Sequence, residues 1–310
     1  MRRPDVTWPD GHAFAFSIVD DTDGATVENV APVYELLAEL GVGATKTVWV
    51  EPPRDGWAGQ SLADPEYRRF VHRLAAQGFE IALHGVGSGD FTRREILAGL
   101  DRFEELFGAA PRLHTNHSRS PHNVYWGHRR FVQPIGALYA RFGSSTTFEG
   151  EDPASPAFWG DRARQIDYIR NLVFEGVDTL RRDPYMPYRE STKPRSRYWF
   201  SSSDGETVAD FNRLLAPAKI DRLAARGGAC IVYTHFASGF VQDGRLDAEF
   251  SSLLRAVAQR DGWFVPASRL LDHLRAQHPH PDRPISRLAL ARLNARWAVE
   301  RVAKRVRRGR

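Results

Sequence analysis

The 310-residue sequence predicts a parallel α/β barrel. Two observations carry that expectation. Short apolar runs alternate with amphipathic stretches along most of the chain, the rhythm of strands each followed by a helix. Polar, chemistry-bearing residues also gather where the apolar runs stop, the end at which parallel α/β folds place ligands. Strands are expected at residues 12–20, 43–50, 79–84, 112–117, 143–148, 170–174, 229–235 and 263–265.

The helices between them have their own signals. After Thr26, the residues Val30, Val33, Tyr34, Leu37 and Leu40 recur at helical spacing. Asp64-Pro65 places a capping residue before proline at the first helical position. Thr92 followed by Glu95 is a capping-box pattern, continued by Ile96, Leu100, Phe103 and Leu106. Two further helices fit residues 247–260 and 268–277. Residues 148–204 are less regular and rich in Pro, Arg and aromatics, which reads as long loops on the barrel. Within them "SSSDGE" (201–206) reads as a turn before a helix.

Composition narrows the class. Hydrophobic residues make up 42% and charged residues 26%, ordinary for a globular chain. A single cysteine, Cys230, excludes an internal disulfide framework and any cysteine-based zinc site. The start of the chain lacks the apolar run of a signal peptide, and no segment reaches transmembrane length, so a cytoplasmic location is expected. Residues 281–310 hold ten Lys/Arg against two Asp/Glu, so the remaining body is mildly acidic although the whole chain is +5. That balance argues against a nucleic-acid-binding body. No nucleophile elbow, phosphate-binding loop or dinucleotide fingerprint is present, so acyl transfer through serine, nucleotide hydrolysis and hydride transfer all lose ground.

The chemistry concentrates at four strand ends. The first apolar run ends in "VDDTDG", three carboxylates within four positions, costly unless water, a cation or a proton relieves their repulsion. A solvated turn and a site explain that cluster equally on its own. The third run ends at His84, the fourth passes through "HTNHSRSPHN", and the seventh ends at His235. Carboxylate with imidazole is the ligand set preferred by zinc and similar divalent ions.

In order and placement these motifs resemble the polysaccharide deacetylase superfamily, the NodB-like or carbohydrate esterase family 4 hydrolases. "SIVDDTDG" echoes the family's Thr-Phe-Asp-Asp-Gly-type motif and "LHGVGS" its His-containing third strand. "RSP" at 119–121, "YTH" at 233–235 and the closing "GWFVPASRLLDHL" complete the set, over roughly residues 10–277. The resemblance implies a distorted (β/α)7-type barrel, placed here at residues 1–278. It also implies a metal-dependent hydrolase removing N-acetyl groups from an amino sugar. Carried over, Asp20 would be the general base, Asp21 and His84 metal ligands, His235 the acid protonating the leaving amine, and Arg119 the residue orienting Asp20.

The chain departs from the family at Ser88, where a second histidine would stand. The third ligand must then come from elsewhere, and "HTNH" offers His114 or His117; His117, nearer the strand end, is preferred. Asp23 reads as a supporting group or a helix N-terminal charge. Tyr125 and Trp126 could form a sugar-stacking platform, although buried loop aromatics explain them as well. The expected cofactor is a divalent metal, zinc foremost, and the expected partner a carbohydrate. Two alternatives stand beside this reading: a metal-independent cyclic amide or ureide hydrolase on the same scaffold, and a non-catalytic carbohydrate-binding protein at the membrane surface.

Residues 279–310 read as a proline-rich linker and a basic amphipathic helix. Leu288, Ala291, Ala295, Val299, Val302 and Val306 trace one stripe among arginines and a lysine. Such a helix, over 285–310, suits an anionic membrane surface. It suits packing on the barrel or a partner subunit as well.

Overall fold

A computed structural model describes residues 6–142 and 147–308. Seven parallel strands close into a barrel: β1 (Phe14–Asp20), β2 (Ala44–Val48), β3 (Glu80–Leu83), β4 (Leu113–His114), β5 (Tyr168–Phe174), β6 (Tyr198–Asp204) and β7 (Ala229–Thr234). They are hydrogen-bonded in sequence order, and β1 pairs with β7 from Ala15↔Ala229 to Asp20↔Thr234 to complete the ring. β1 is buried along its whole length, as a strand covered on both faces must be. A short antiparallel hairpin, β8 (Val241–Gln242) with β9 (Arg245–Leu246), follows the last stave. The expected strand near residue 263 is β10 (Gly262–Phe264), which pairs with the amino half of β1 at Phe14↔Gly262.

The helix signals act as read. Thr26 and Asn29 cap the helix Val27–Glu39 reciprocally, and Thr92 with Glu95 does the same for Arg93–Phe107. Gly108 ends the latter in the left-handed region at φ 75°, which glycine adopts without a Cβ penalty. Helices also stand at Pro65–Ala76, Ala248–Ala258 and Ala267–Ala276, close to expectation.

Two expectations need correction. Tyr198–Asp204, taken as loop and turn, is a full stave of the barrel. Its serines look like a turn, yet Ser201, Ser202 and Ser203 are fully buried. Ser201 donates to Asp183 (2.7 Å), and the hydroxyls of Ser203 and Thr179 share a hydrogen bond of 2.7 Å, so polar residues pass as strand interior. The strand expected over 143–148 falls mostly on residues 143–146, outside the described residues.

The terminal helix Arg287–Arg308 packs on the barrel, but through a different face from the stripe named above. Ala289, Leu290, Leu293, Asn294 and Trp297 are the buried positions. Trp297 lies 4.8 Å from the Phe131 ring, Asn294 Oδ1 accepts from the Val132 amide (3.0 Å), and Glu300 accepts from the Glu175 amide (2.8 Å). Near its end, Lys304 is paired with Asp204 and Arg307 with Glu175, beside the carboxyl ends of β6 and β5. Among the described residues no helix is long and apolar enough to cross a membrane.

Candidate metal centre

Strand alternation sorts the three carboxylates of "VDDTDG" into three environments. Asp20 turns toward the layer between sheet and helices. Its Oδ2 accepts from Lys46 Nζ of β2 (2.8 Å) and Tyr34 Oη of the Val27–Glu39 helix (2.9 Å), and its Oδ1 from the Phe236 amide (2.8 Å). All of this is buried. Asp20, expected as the general base, thus meets its partners on the helix side of the sheet, away from the barrel interior. Burial works against the charge on Lys46, but Asp20 outweighs it and raises the ammonium's pKa.

Asp21 faces the other way, into the barrel. Its amide still continues the ladder, donating to Thr234 O (2.8 Å). Its carboxylate meets Arg170 of β5, a strand not adjacent to β1, so the pair crosses the barrel interior. Arg170 Nη1 donates to Oδ1 at 3.0 Å, and Nη2 is hydrogen-bonded to Oδ2. Thr115 Oγ1 also donates to Oδ1, at 3.1 Å. Burial pushes Asp21 up, but Arg170 and His84 outweigh it, and its pKa is lowered.

Beyond Asp21 the chain turns, closed by Ala25 N donating to Thr22 O (2.9 Å) with Gly24 at φ 72°. That turn carries Asp23 over the mouth, where three imidazoles converge on it. His84 Nε2 lies 3.0 Å from Oδ2, His117 Nε2 2.7 Å from Oδ1, and His235 Nε2 3.0 Å from Oδ2. The ligand atoms of Asp23, His84 and His117 lie within 4.8 Å of one another, as do those of Asp21, Asp23 and His235.

The far ring nitrogens decide what these Nε2 atoms carry. Thr115 spends its only proton on Asp21, so it must accept from His84 Nδ1, at 2.5 Å. Ser88 donates to Asp55 Oδ2 (2.7 Å) and therefore accepts from His117 Nδ1 (3.2 Å). In the neutral rings each Nε2 is then a bare lone pair facing a carboxylate oxygen. His117 Nε2 and Asp23 Oδ1 are buried and share no hydrogen bond despite their 2.7 Å separation. Two facing acceptors repel unless a cation or proton lies between them, and carboxylate with two imidazoles is a zinc-type donor set. The residues fit a divalent metal.

Burial pushes Asp23 up, but with protons on the facing ring nitrogens the charge of His84 and hydrogen bonds from His117, His235 and His84 outweigh it and hold its pKa well below the usual carboxylate range. Burial lowers His235; its hydrogen bond to Asp23 and the charges of Asp21, Asp23 and Asp20 prevail and raise it. His114, the other candidate third ligand, belongs to the barrel wall. Its Nδ1 lies 3.1 Å from Leu83 O, its Nε2 3.0 Å from Asn116 Oδ1, and burial pulls its pKa to about 4.

The remaining expected residues lie elsewhere. Arg119 is exposed and stacks over Trp57 (5.5 Å), far from orienting Asp20; the arginine holding a carboxylate at the centre is Arg170. Tyr125 and Trp126 are tied into the loop network: the Tyr125 amide donates to Glu151 (2.8 Å), and Arg130 stacks on Trp126 at 4.0 Å. The aromatic rings at the centre are instead Trp49, buried and stacked 6.3 Å from His84, and Trp57, edge-on to His117 at 5.4 Å and 36% exposed. Arg170 had a readable signal, a lone arginine inside an apolar strand. Trp57 had none.

No protein-family model matches the chain, and no curated protein matches it. Solved structures are similar at modest overlap. The peptidoglycan deacetylase PdaC from Bacillus subtilis is 15% identical over 85% of this chain and 93% of its own, with a TM-score of 0.42. The chitin deacetylase of the fungal pathogen Colletotrichum lindemuthianum is 14% identical over 87% and 92%, TM-score 0.42. A family 4 acetyl xylan esterase from Clostridium thermocellum, in complex with a cobalt ion, is 14% identical over 87% and 97%, TM-score 0.40.

Proposed function

We propose that the chain is a metal-dependent hydrolase that removes N-acyl groups from an amino sugar. The observation that carries this reading is Asp23, a buried carboxylate met by three imidazoles beside a second carboxylate held by arginine. Asp23, His84 and His117 would hold the cation, with Asp23 in the place expected of Asp21. A divalent ion there supplies Lewis-acid polarisation of the acyl carbonyl and a lowered pKa for the attacking water.

The chain's own residues divide the proton work. Asp21, kept ionised and oriented by Arg170 and Thr115, accepts the proton of the attacking water. His235, kept protonated by Asp23, gives its proton to the departing nitrogen as the C–N bond breaks. The products are the carboxylate of the acyl group and the free amine. Trp57 beside His117 offers a sugar ring a flat apolar face, with Arg119 above it for a polar or anionic substituent.

The test is acetate release from N-acetylated amino-sugar oligomers by the full chain, after chelation and after reloading with zinc, cobalt, nickel or manganese. Turnover that is lost on chelation, restored by a metal and abolished in His235→Gln with metal still bound supports the reading. Turnover indifferent to chelation overturns it and leaves a proton shared between Asp23 and its histidines. A folded, metal-loaded protein that releases no acyl group from any such oligomer overturns the assigned reaction.

A further inference from the structure

The terminal helix has two faces, and only one is used by the fold. Leu290, Leu293, Asn294 and Trp297 dock it on the barrel. Leu288, Val299, Val302 and Val306 point outward at 62%, 69%, 62% and 76% exposure. Alongside that stripe stand Arg292 and Arg305, both exposed. The helix has one acid, Glu300, and that is turned inward to the Glu175 amide and Arg182.

We propose that this outward face docks the protein on an anionic membrane surface. The stripe runs most of a helix of 22 residues, about 33 Å long, and lies parallel to the helix axis, as an in-plane interfacial helix requires. The charge around it selects the occupant. A second copy would set arginine against arginine with no acid on either stripe. A nucleic-acid backbone would satisfy the arginines and leave the valines in water. A lipid surface takes both, side chains entering the acyl boundary and guanidinium groups meeting anionic headgroups. The helix ends beside Asp204 and Glu175, at the carboxyl ends of β6 and β5, so a docked tail holds the barrel mouth close to the bound surface.

Deleting the tail is the wrong experiment, because it would strip Trp297 from Phe131 and Asn294 from Val132. Point changes on the outward face leave those contacts intact. The full chain is sedimented with phosphatidylcholine vesicles with and without phosphatidylglycerol, at low and high salt. Binding confined to the anionic vesicles and weakened by salt is expected. Val299→Asp with Val302→Asp, and separately Arg292→Glu with Arg305→Glu, should each weaken it more than tenfold while circular dichroism and melting temperature stay unchanged. Any of three results would overturn the proposal: no binding to either vesicle, equal binding to both, or a chain that dimerises in solution and becomes monomeric in Val299→Asp/Val302→Asp. The readout uses no turnover, so it stands or falls apart from the hydrolase reading.

Discussion

Replacing Asp23 by Asn and Asp21 by Asn separates the carboxylate proposed to hold the metal from the one proposed to accept the proton. Metal binding to the folded chain alone raises stability by mass action, about 2.7 kcal/mol at a free concentration one hundred times the dissociation constant. Unfolding entropy of about 2.1 cal/mol/K per residue gives about 0.65 kcal/mol/K for this chain, so the melting temperature should rise by about 4 °C. Among the described residues, Asp23 offers the one carboxylate that faces both His84 and His117. Its amide replacement keeps the shape but removes the charge, and a loss of about a hundredfold in affinity is a minimum, since even supporting groups are worth 10–100-fold. At the same metal concentration the gain then falls to about 0.4 kcal/mol, a shift below about 1 °C.

Asp21→Asn behaves differently. It leaves Arg170 buried without its anion, which costs about 3–5 kcal/mol in the metal-free protein. Its own metal-induced shift should survive. Differential scanning calorimetry of the chelated and zinc-titrated proteins, each variant compared with itself, reads both effects. A shift abolished in Asp21→Asn and retained in Asp23→Asn would refute the assignment. A wild-type chain that binds no zinc and shows no shift would refute the centre itself.

Two other outcomes follow from burial. Asp20→Asn should lower stability by about 3–5 kcal/mol, about 5–8 °C on the scale above, because it strands Lys46. Adding Lys46→Met should recover part of that loss, and an unchanged melting temperature in the single variant would show that the pair is not structural. Acid should destabilise the native chain, because burial holds His114 near a pKa of about 4 and His122 near about 3. Below the ordinary histidine range the unfolded chain binds more protons, so stability falls by up to about 1.4 kcal/mol per pH unit for each ring as pH drops from about 6.5 toward those values. Urea midpoints that hold constant from pH 7 to pH 5 would count against it.

The barrel was legible because its staves are mostly apolar runs between well-signalled helices. β6 was not, because a buried serine bonded to a neighbour is spelled like a solvated one. The strand ends pointed to three histidines, His84, His117 and His235, that do converge. The different placements of the three carboxylates were hidden for a local reason. The β1–β7 ladder continues through the Asp21 amide, so Asp20 and Asp21 alternate out of and into the barrel. The turn that places Asp23 depends on where that ladder stops, which a single sequence does not mark. Arg170 lies 149 residues from Asp21, and only closure of the ring brings β5 across from β1.

Charge then explains why three carboxylates can sit so close together. Asp20 is neutralised by Lys46 in the outer layer, and Asp21 by Arg170 inside the barrel. Asp23 is left with His84 and His117, whose neutral rings carry their protons on Nδ1 toward Thr115 and Ser88, and with His235, whose pKa is raised. The Asp23 charge is therefore balanced only by the proton on His235, where His84, His117 and His235 meet. With that proton alone the cluster is neutral. A divalent ion would add net positive charge there, which in the proposed reaction would meet the negative charge developing on the acyl oxygen during attack by water. The Asp20–Lys46 pair keeps that balance local, since it holds a third carboxylate out of the interior, where it would add negative charge at the mouth.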